Sequence, residues 1–259
     1  MDLSLAGKAA LVTGSHRGTG AIIAARLLDE GATVLVHGFT RAEAQRSCDT
    51  IGGGIAVHGD IATSAGTDVL FECCAAQAPI DILINNYGTA GAGKWDDTDE
   101  GAWLDMYQRN VLSAQRLIQH FLPAMRARRW GRIINLGTVG STRPAARMPH
   151  YYAAKGALAT LTVSLAKEVA GSGITVNLVS PGLIHTAEVE ATYLAQGRRN
   201  GWGETWAEVE PHVAADIPIG RIVRREEVAD LVAFLASPRA DAIHAQNIRI
   251  DGGALGILT

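Results

Sequence analysis

Cysteine is scarce in this chain: three residues, Cys48, Cys73 and Cys74, in 259. Cys73 and Cys74 are neighbours in a helical stretch, a poor geometry for pairing with each other. No disulfide framework is visible, and no histidine–carboxylate or histidine–cysteine spacing suggests a metal. Charge of one sign is also lacking. The 23 basic and 26 acidic residues leave a net charge of −3, which gives no electrostatic basis for nucleic acid or an anionic membrane surface as partner. No apolar run is long enough to span a bilayer. Met1 to Lys8 lacks the basic region and apolar run of a signal peptide, so the expected location is cytoplasmic. Long linkers, low-complexity tracts and internal repeats are absent as well. What is present is an ordinary globular composition, 47% hydrophobic and 19% charged. A chain of this length buries its core as a single domain, 1–259. Arg126, Arg128, Arg129 and Arg132 cluster where a helix gives way to a strand, and they read as a solvated helix C-terminus favoured by the dipole.

Short runs rich in Val, Ile and Leu recur at Lys8–Thr13, Thr33–His37, Ile55–His58, Asp81–Asn85, Arg132–Leu136, Thr175–Val179 and Asn247–Ile250. They read as buried strands. Helical patterns fill the gaps near Gly20–Asp29, Ala42–Thr50, Ser64–Gln77, Asp99–Ala127, Tyr151–Ala170 and Glu226–Ala236. The acidic run Asp96, Asp97, Asp99, Glu100 fits the first turn of the fourth of these helices, with Asp97 or Thr98 near its cap. This alternation predicts an α/β fold: a Rossmann-type, doubly wound, seven-stranded parallel sheet with helices on both faces. One stretch breaks the rhythm, His185 to Ile219, which carries Gly197, Gly201, Gly203, Trp202 and Trp206. It follows the sixth strand, at the edge where open α/β sheets bind ligands, and is expected to form a substrate lid over 185–219.

Between the first strand and the first helix lies Thr13-Gly14-Ser15-His16-Arg17-Gly18-Thr19-Gly20. There the chain must turn sharply, approach a pyrophosphate closely and aim helix N–H groups at it, and a side chain at Gly14 or Gly20 would obstruct this. No Gly-Lys-Ser/Thr follows, so it is not a nucleotide-hydrolysing phosphate loop. Further along come Asn85-Asn86-Tyr87-Gly88, Asn110, Tyr151-Tyr152-Ala153-Ala154-Lys155, Pro181-Gly182 and Asp251-Gly252-Gly253. In order and position these resemble the classical short-chain dehydrogenase/reductase family over essentially the whole chain. Tyr87 replaces an alanine of that family's pattern.

The resemblance implies an NAD(P)-dependent oxidoreductase that interconverts a ketone and a secondary alcohol, of carbonyl or 3-oxoacyl reductase type. Its substrate would then be a small carbonyl or alcohol. The alternative is an inactive dinucleotide-binding regulatory or scaffold protein. Tyr151 would be the general acid or base. Among five tyrosines it alone has a lysine four residues on, which on a helix is the same face. A free tyrosine titrates at about 10, and Lys155 nearby, together with the positive nicotinamide ring, is expected to favour the phenolate and lower that value. Lys155 would also hold the nicotinamide ribose. Asn110 would complete a proton path to Lys155 through water. The family's serine falls at Thr138, which keeps the hydroxyl but adds a methyl; Ser141 is the substitute nearby. Tyr152 is out of register with Lys155 and reads as packing or lining, and His150 as an exposed loop histidine.

For the dinucleotide, the expected contacts are Gly14, Ser15, His16, Arg17, Gly18, Thr19 and Gly20 of the turn. To these are added Phe39, Thr40, Arg41, Asp60, Ile61, Asn86, Tyr87, Gly88, Tyr151, Lys155, Pro181, Gly182, Ile184 and Thr186. No carboxylate follows the second strand to bind ribose hydroxyls, and Arg17 and Arg41 can meet a 2′-phosphate. NADP(H) is therefore favoured, with NAD(H) the second choice. The resemblance also implies a homo-oligomer, a tetramer or dimer, assembled through the helices 99–127 and 151–170.

Overall fold

Residues packed on both sides must be apolar on both sides, and the Val/Ile/Leu runs meet that condition. In the computed structural model, which describes residues 2–77 and 79–257, they become the strands β1 (Ala9–Val12), β2 (Thr33–Gly38), β3 (Ile55–His58), β4 (Ile82–Asn85), β5 (Gly131–Leu136) and β6 (Ile174–Pro181). Every residue of β1, β4, β5 and β6 is buried. The helices are α1 (Gly18–Asp29), α2 (Arg41–Ile51), α3 (Ser64–Ala75), α4 (Glu100–Tyr107), α5 (Ser113–Arg128) and α6 (Pro149–Glu168). After β6 come the two-residue β7 (Ile184–His185), then α7 (Ala187–Asn200), α8 (Trp206–Val213), β8 (Val223–Arg224), α9 (Arg225–Ala236) and β9 (Asn247–Ile250).

Seven parallel strands form one sheet in the order β3-β2-β1-β4-β5-β6-β9. The alternation of side chains along β1 divides the core. Ala10 and Val12 join a cluster with Ile23 and Leu27 of α1 and Val228 and Val232 of α9. Leu11 points the other way, toward Leu70 of α3, Leu117 and Phe121 of α5 and Ala166 of α6. The strand order reverses between β1 and β4, which opens a crevice at their C-terminal ends. The glycine turn and the segment Asn86–Gly88 both leave the sheet there.

Three local expectations are corrected. The helix expected over 99–127 is two helices joined by a π-turn, Gln108–Leu112, and its cap is Asp99, whose carboxylate accepts from the Ala102 N–H at 2.8 Å. The stretch 185–219, for which no helical pattern was read, carries α7 and α8. It is pinned at its base by the parallel pair Ile184–Val223 and by Arg224, whose guanidinium donates to both carboxylate oxygens of Glu210 at 2.6 and 2.7 Å. Arg132 is not solvated. It is 1% exposed, lies 4.4 Å from the Trp130 ring and is neutralised by Asp241, because β5 carries it inward under the sheet. Arg126 and Arg129 do reach outward, to Glu168 and the Gly171 carbonyl.

Candidate active site

The glycine turn fits a closely approaching ligand because its neighbours leave no room for side chains. A Cβ on Gly14 would lie 3.2 Å from the Tyr87 Cα, and Gly14 has φ +64°. A Cβ on Gly20 would run into Asn86 Nδ2 and the Gly14 carbonyl. Asn86 Nδ2 donates to the Thr13 carbonyl at 2.8 Å, and Thr13 Oγ1 accepts from the Tyr87 N–H at 2.9 Å. The turn is thus fastened to the β4 end, and its backbone is left facing the crevice. Ser15 is fully buried: its hydroxyl donates to the Val12 carbonyl at 2.6 Å and accepts from the His37 N–H at 2.8 Å.

At the far end of the turn, His16, Arg17, Gly18, Phe39, Arg46 and Arg225 line a cavity of about 800 Å³. Arg46 and Arg225 were not foreseen from the sequence; Arg41, which was, lies outside the cavity lining, on the exposed first turn of α2. Thr40 caps α2 in a reciprocal box with Glu43. A Cβ on Gly38 would lie 2.8 Å from the Ala44 N, so α2 packs too closely for a carboxylate at that position. Phe39 meets His16 and Tyr87 edge-on, with ring centroids 5.4 and 5.5 Å away. Asp60 accepts from the Ala62 N–H at 3.1 Å, while the side chain of Ile61 is buried in the core. At the other rim, Gly182 packs against Asp251, Ile184 lies in β7, and Thr186 caps α7 by accepting from the Val189 N–H at 3.2 Å.

The proposed reacting end is built by α6, β5 and the π-turn. Pro149 at the start of α6 pre-sets the helical φ, and Tyr151 and Lys155 then fall one turn apart on one face. His150 is buried against Trp103 rather than exposed, a correction that follows from α6 starting two residues earlier than expected. Lys155 Nζ donates to the Leu136 carbonyl at 2.7 Å, and burial pushes it down to about 8. Asn110 Nδ2 donates to the carbonyls of Thr89 and Met106, each at 3.0 Å. Its Oδ1 is buried and finds no partner among the described residues. Asn110 lies within the π-turn, a rare local geometry found most often at functional sites. Gly88 locates the two groups: a Cβ there would lie 2.5 Å from Asn110 Oδ1 and 3.0 Å from Lys155 Nζ.

Burial pushes the Tyr151 hydroxyl up to about 12; Tyr152 adds to the rise and a hydrogen bond with Thr138 opposes it. Within the protein, desolvation of the phenolate is the largest influence on this hydroxyl. Thr138 Oγ1 also accepts from the Gly140 N–H at 3.2 Å. Ser141, the alternative hydroxyl, donates to the Thr138 carbonyl at 2.7 Å. Tyr152 lies against Gly140. Asn85, Asn135 and Thr162 form a buried side-chain ladder beneath the site, with steps of 2.8 Å, for which the sequence carried no signal.

Similarity to known proteins runs the length of the chain. The family described as Enoyl-(Acyl carrier protein) reductase matches residues 14–254. The 3-oxoacyl-(acyl-carrier-protein) reductase FabG of Salmonella typhimurium is 35% identical over 253 residues, covering 97% of this chain and 98% of that protein. The oxidoreductase YvrD of Bacillus subtilis is 34% identical over 98% of this chain and 99% of its own length. Among solved structures, L-sorbose reductase from Gluconobacter frateurii in complex with NADPH and L-sorbose superposes with a TM-score of 0.91 at 32% identity, covering 100% of both chains. The glycine turn, the Tyr151–Lys155 pair and a match at both levels over nearly every residue lead to one conclusion: this chain belongs to the short-chain dehydrogenase/reductase family and is an NAD(P)-dependent oxidoreductase acting on carbonyl or alcohol groups.

Proposed function

We propose that the chain is an NADP(H)-preferring reductase of a small ketone, with Tyr151 as general acid. The observation that carries this is geometric: α6 sets Tyr151 and Lys155 one turn apart on one face, Lys155 is fixed to the Leu136 carbonyl, and burial holds the proton on the Tyr151 hydroxyl. A hydroxyl that keeps its proton well above neutrality is the form that donates to a carbonyl oxygen. The dinucleotide supplies the hydride. Lys155, with the free Oδ1 of Asn110 beside it, returns the proton to Tyr151 through water. An inactive regulatory protein is the weaker alternative, because Thr138 preserves the hydroxyl that the family's serine supplies.

NADP(H) is favoured by the absence of a carboxylate after β2, by the tight packing at Gly38 and by the three arginines at the adenosine end. Relatives solved with NADPH or NADP point the same way. Helices α7 and α8 would close over the substrate. Glu188 of α7 already pairs with Arg17 of the glycine turn at 3.5 Å across the crevice. Leu104, Tyr107 and Val163 are exposed on α4 and α6, the face through which a homodimer or tetramer would form.

The test is NADPH and NADH oxidation with a panel of ketoses, simple ketones and 3-oxoacyl thioesters. Turnover of at least one ketone, faster with NADPH, is expected. No turnover with any of them, or a preference for NADH, would contradict the reading.

A further inference from the structure

His37, at the end of β2, is fully buried and is not among the expected dinucleotide contacts. Both of its ring nitrogens are engaged. Nδ1 is 2.9 Å from the Gly14 N–H, which donates to it. That bond leaves the proton on Nε2, which donates to the Gly59 carbonyl at 2.9 Å. The backbone repeats the attachment: the His16 N–H donates to the His37 carbonyl at 3.0 Å, and the His37 N–H donates to Ser15 Oγ. Ser47 of α2 closes the set by donating to the Ser15 carbonyl at 2.7 Å. Gly59 has no freedom of its own, since a Cβ there would collide with the Gly66 carbonyl of α3.

We infer that His37 is a positioning residue for dinucleotide binding: through Nδ1 it holds the Gly14 amide, and with it the pyrophosphate-facing turn, in register with the Gly59–Asp60 turn at the adenine side. The inference rests on the assignment of Gly14–Gly20 to the pyrophosphate. Only the neutral imidazole with its proton on Nε2 makes both bonds, because an imidazolium has no acceptor for Gly14. Burial keeps the ring neutral, with its pKa pushed down to about 4. Without the ring, the half-buried Gly14 N–H loses this partner, and the turn is free to rotate it elsewhere.

The experiment uses the full chain and three variants, His37→Leu, His37→Asn and His37→Gln. Fluorescence titration gives Kd for NADPH, steady-state assays give kcat at saturating NADPH, and NMR gives exchange of the Gly14 amide. His37→Leu is expected to raise Kd about tenfold, the loss set by one hydrogen bond, with kcat unchanged. His37→Asn puts Oδ1 where Nδ1 was and restores affinity. His37→Gln reaches Gly59 but not Gly14 and does not. Wild-type affinity in His37→Leu, or equal affinities in the Asn and Gln variants, overturns the proposal; the second comparison decides it if His37→Leu does not fold. Loss of Gly14 protection with no change in Kd also overturns it, while leaving the hydrogen bond itself standing. A wild-type chain that binds neither NADPH nor NADH overturns the assignment of the turn, and the proposal with it.

Discussion

Gly88→Ala tests the reacting end without removing any proposed catalytic group. The new Cβ would lie 2.5 Å from Asn110 Oδ1 and 3.0 Å from Lys155 Nζ. Unstrained contacts with carbon begin at about 3.5 Å, so the neighbours must yield by roughly 1 Å. Neither retreats freely. Asn110 is fixed by two carbonyls and Lys155 by a third. Misplacement of reacting groups by about 1 Å can cost about 100-fold in rate, roughly 3 kcal/mol of barrier. The fold should be spared, because Gly88 is exposed and its backbone does not require glycine. The assay is steady-state NADPH oxidation with a ketone found in the substrate panel, alongside thermal melting by circular dichroism. The expected result is a fall in kcat of about two orders of magnitude with an unchanged melting curve. Wild-type kcat in a folded Gly88→Ala protein would refute the placement of Asn110 and Lys155 at the reacting end.

Two further outcomes follow from the same geometry. The unfolded chain takes up a proton on His37 near 6.5, which the folded chain refuses until about 4. Stability is thus full above pH 6.5 and is lost as pH falls toward 4, by on the order of 3 kcal/mol. His16 and His58 push in the same direction as burial, and Asp60 opposes them. Urea melts at pH 7 and pH 4.5 should show a larger acid loss for wild type than for His37→Asn; identical losses would refute this. At the substrate side, Thr138→Val should reduce kcat by about 10²- to 10³-fold, as for one lost transition-state donor. Thr138→Ser should stay near wild type, and so should Ser141→Ala, whose hydroxyl is spent on a carbonyl. A large loss in Ser141→Ala with none in Thr138→Val would reverse the assignment.

The centre of the sheet was legible because β1, β4, β5 and β6 are buried on both faces and so read as short apolar runs. The start of α6 was missed although Pro149 announces it: proline at the first helical position is itself a start signal. Helices α7 and α8 were missed for a different reason. Only Gly197 of α7 and Val209 of α8 are buried, so no apolar stripe marks them, although Thr205 and Glu208 form a readable capping box. Arg132 was misread because the residue that neutralises it, Asp241, is 109 positions away, and local sequence cannot distinguish a buried arginine from a surface one. In the site, Tyr151, Lys155 and the glycine turn stood out by spacing. The Asn85–Asn135–Thr162 ladder and the bonds of His37 depend on contacts between elements far apart in sequence, for which spacing carries no trace. The same holds for the phenol of Tyr151. Spacing shows its lysine neighbour, while the burial that raises its pKa within the protein is a tertiary property.

The central claim is that Tyr151 donates the proton while the rest of the chain binds and positions the dinucleotide. It is tested most directly by comparing wild type with Tyr151→Phe, measuring NADPH-dependent ketone reduction and NADPH affinity in the same preparations. Turnover should be abolished while NADPH binds as tightly as before. Near-normal turnover in Tyr151→Phe would contradict the account.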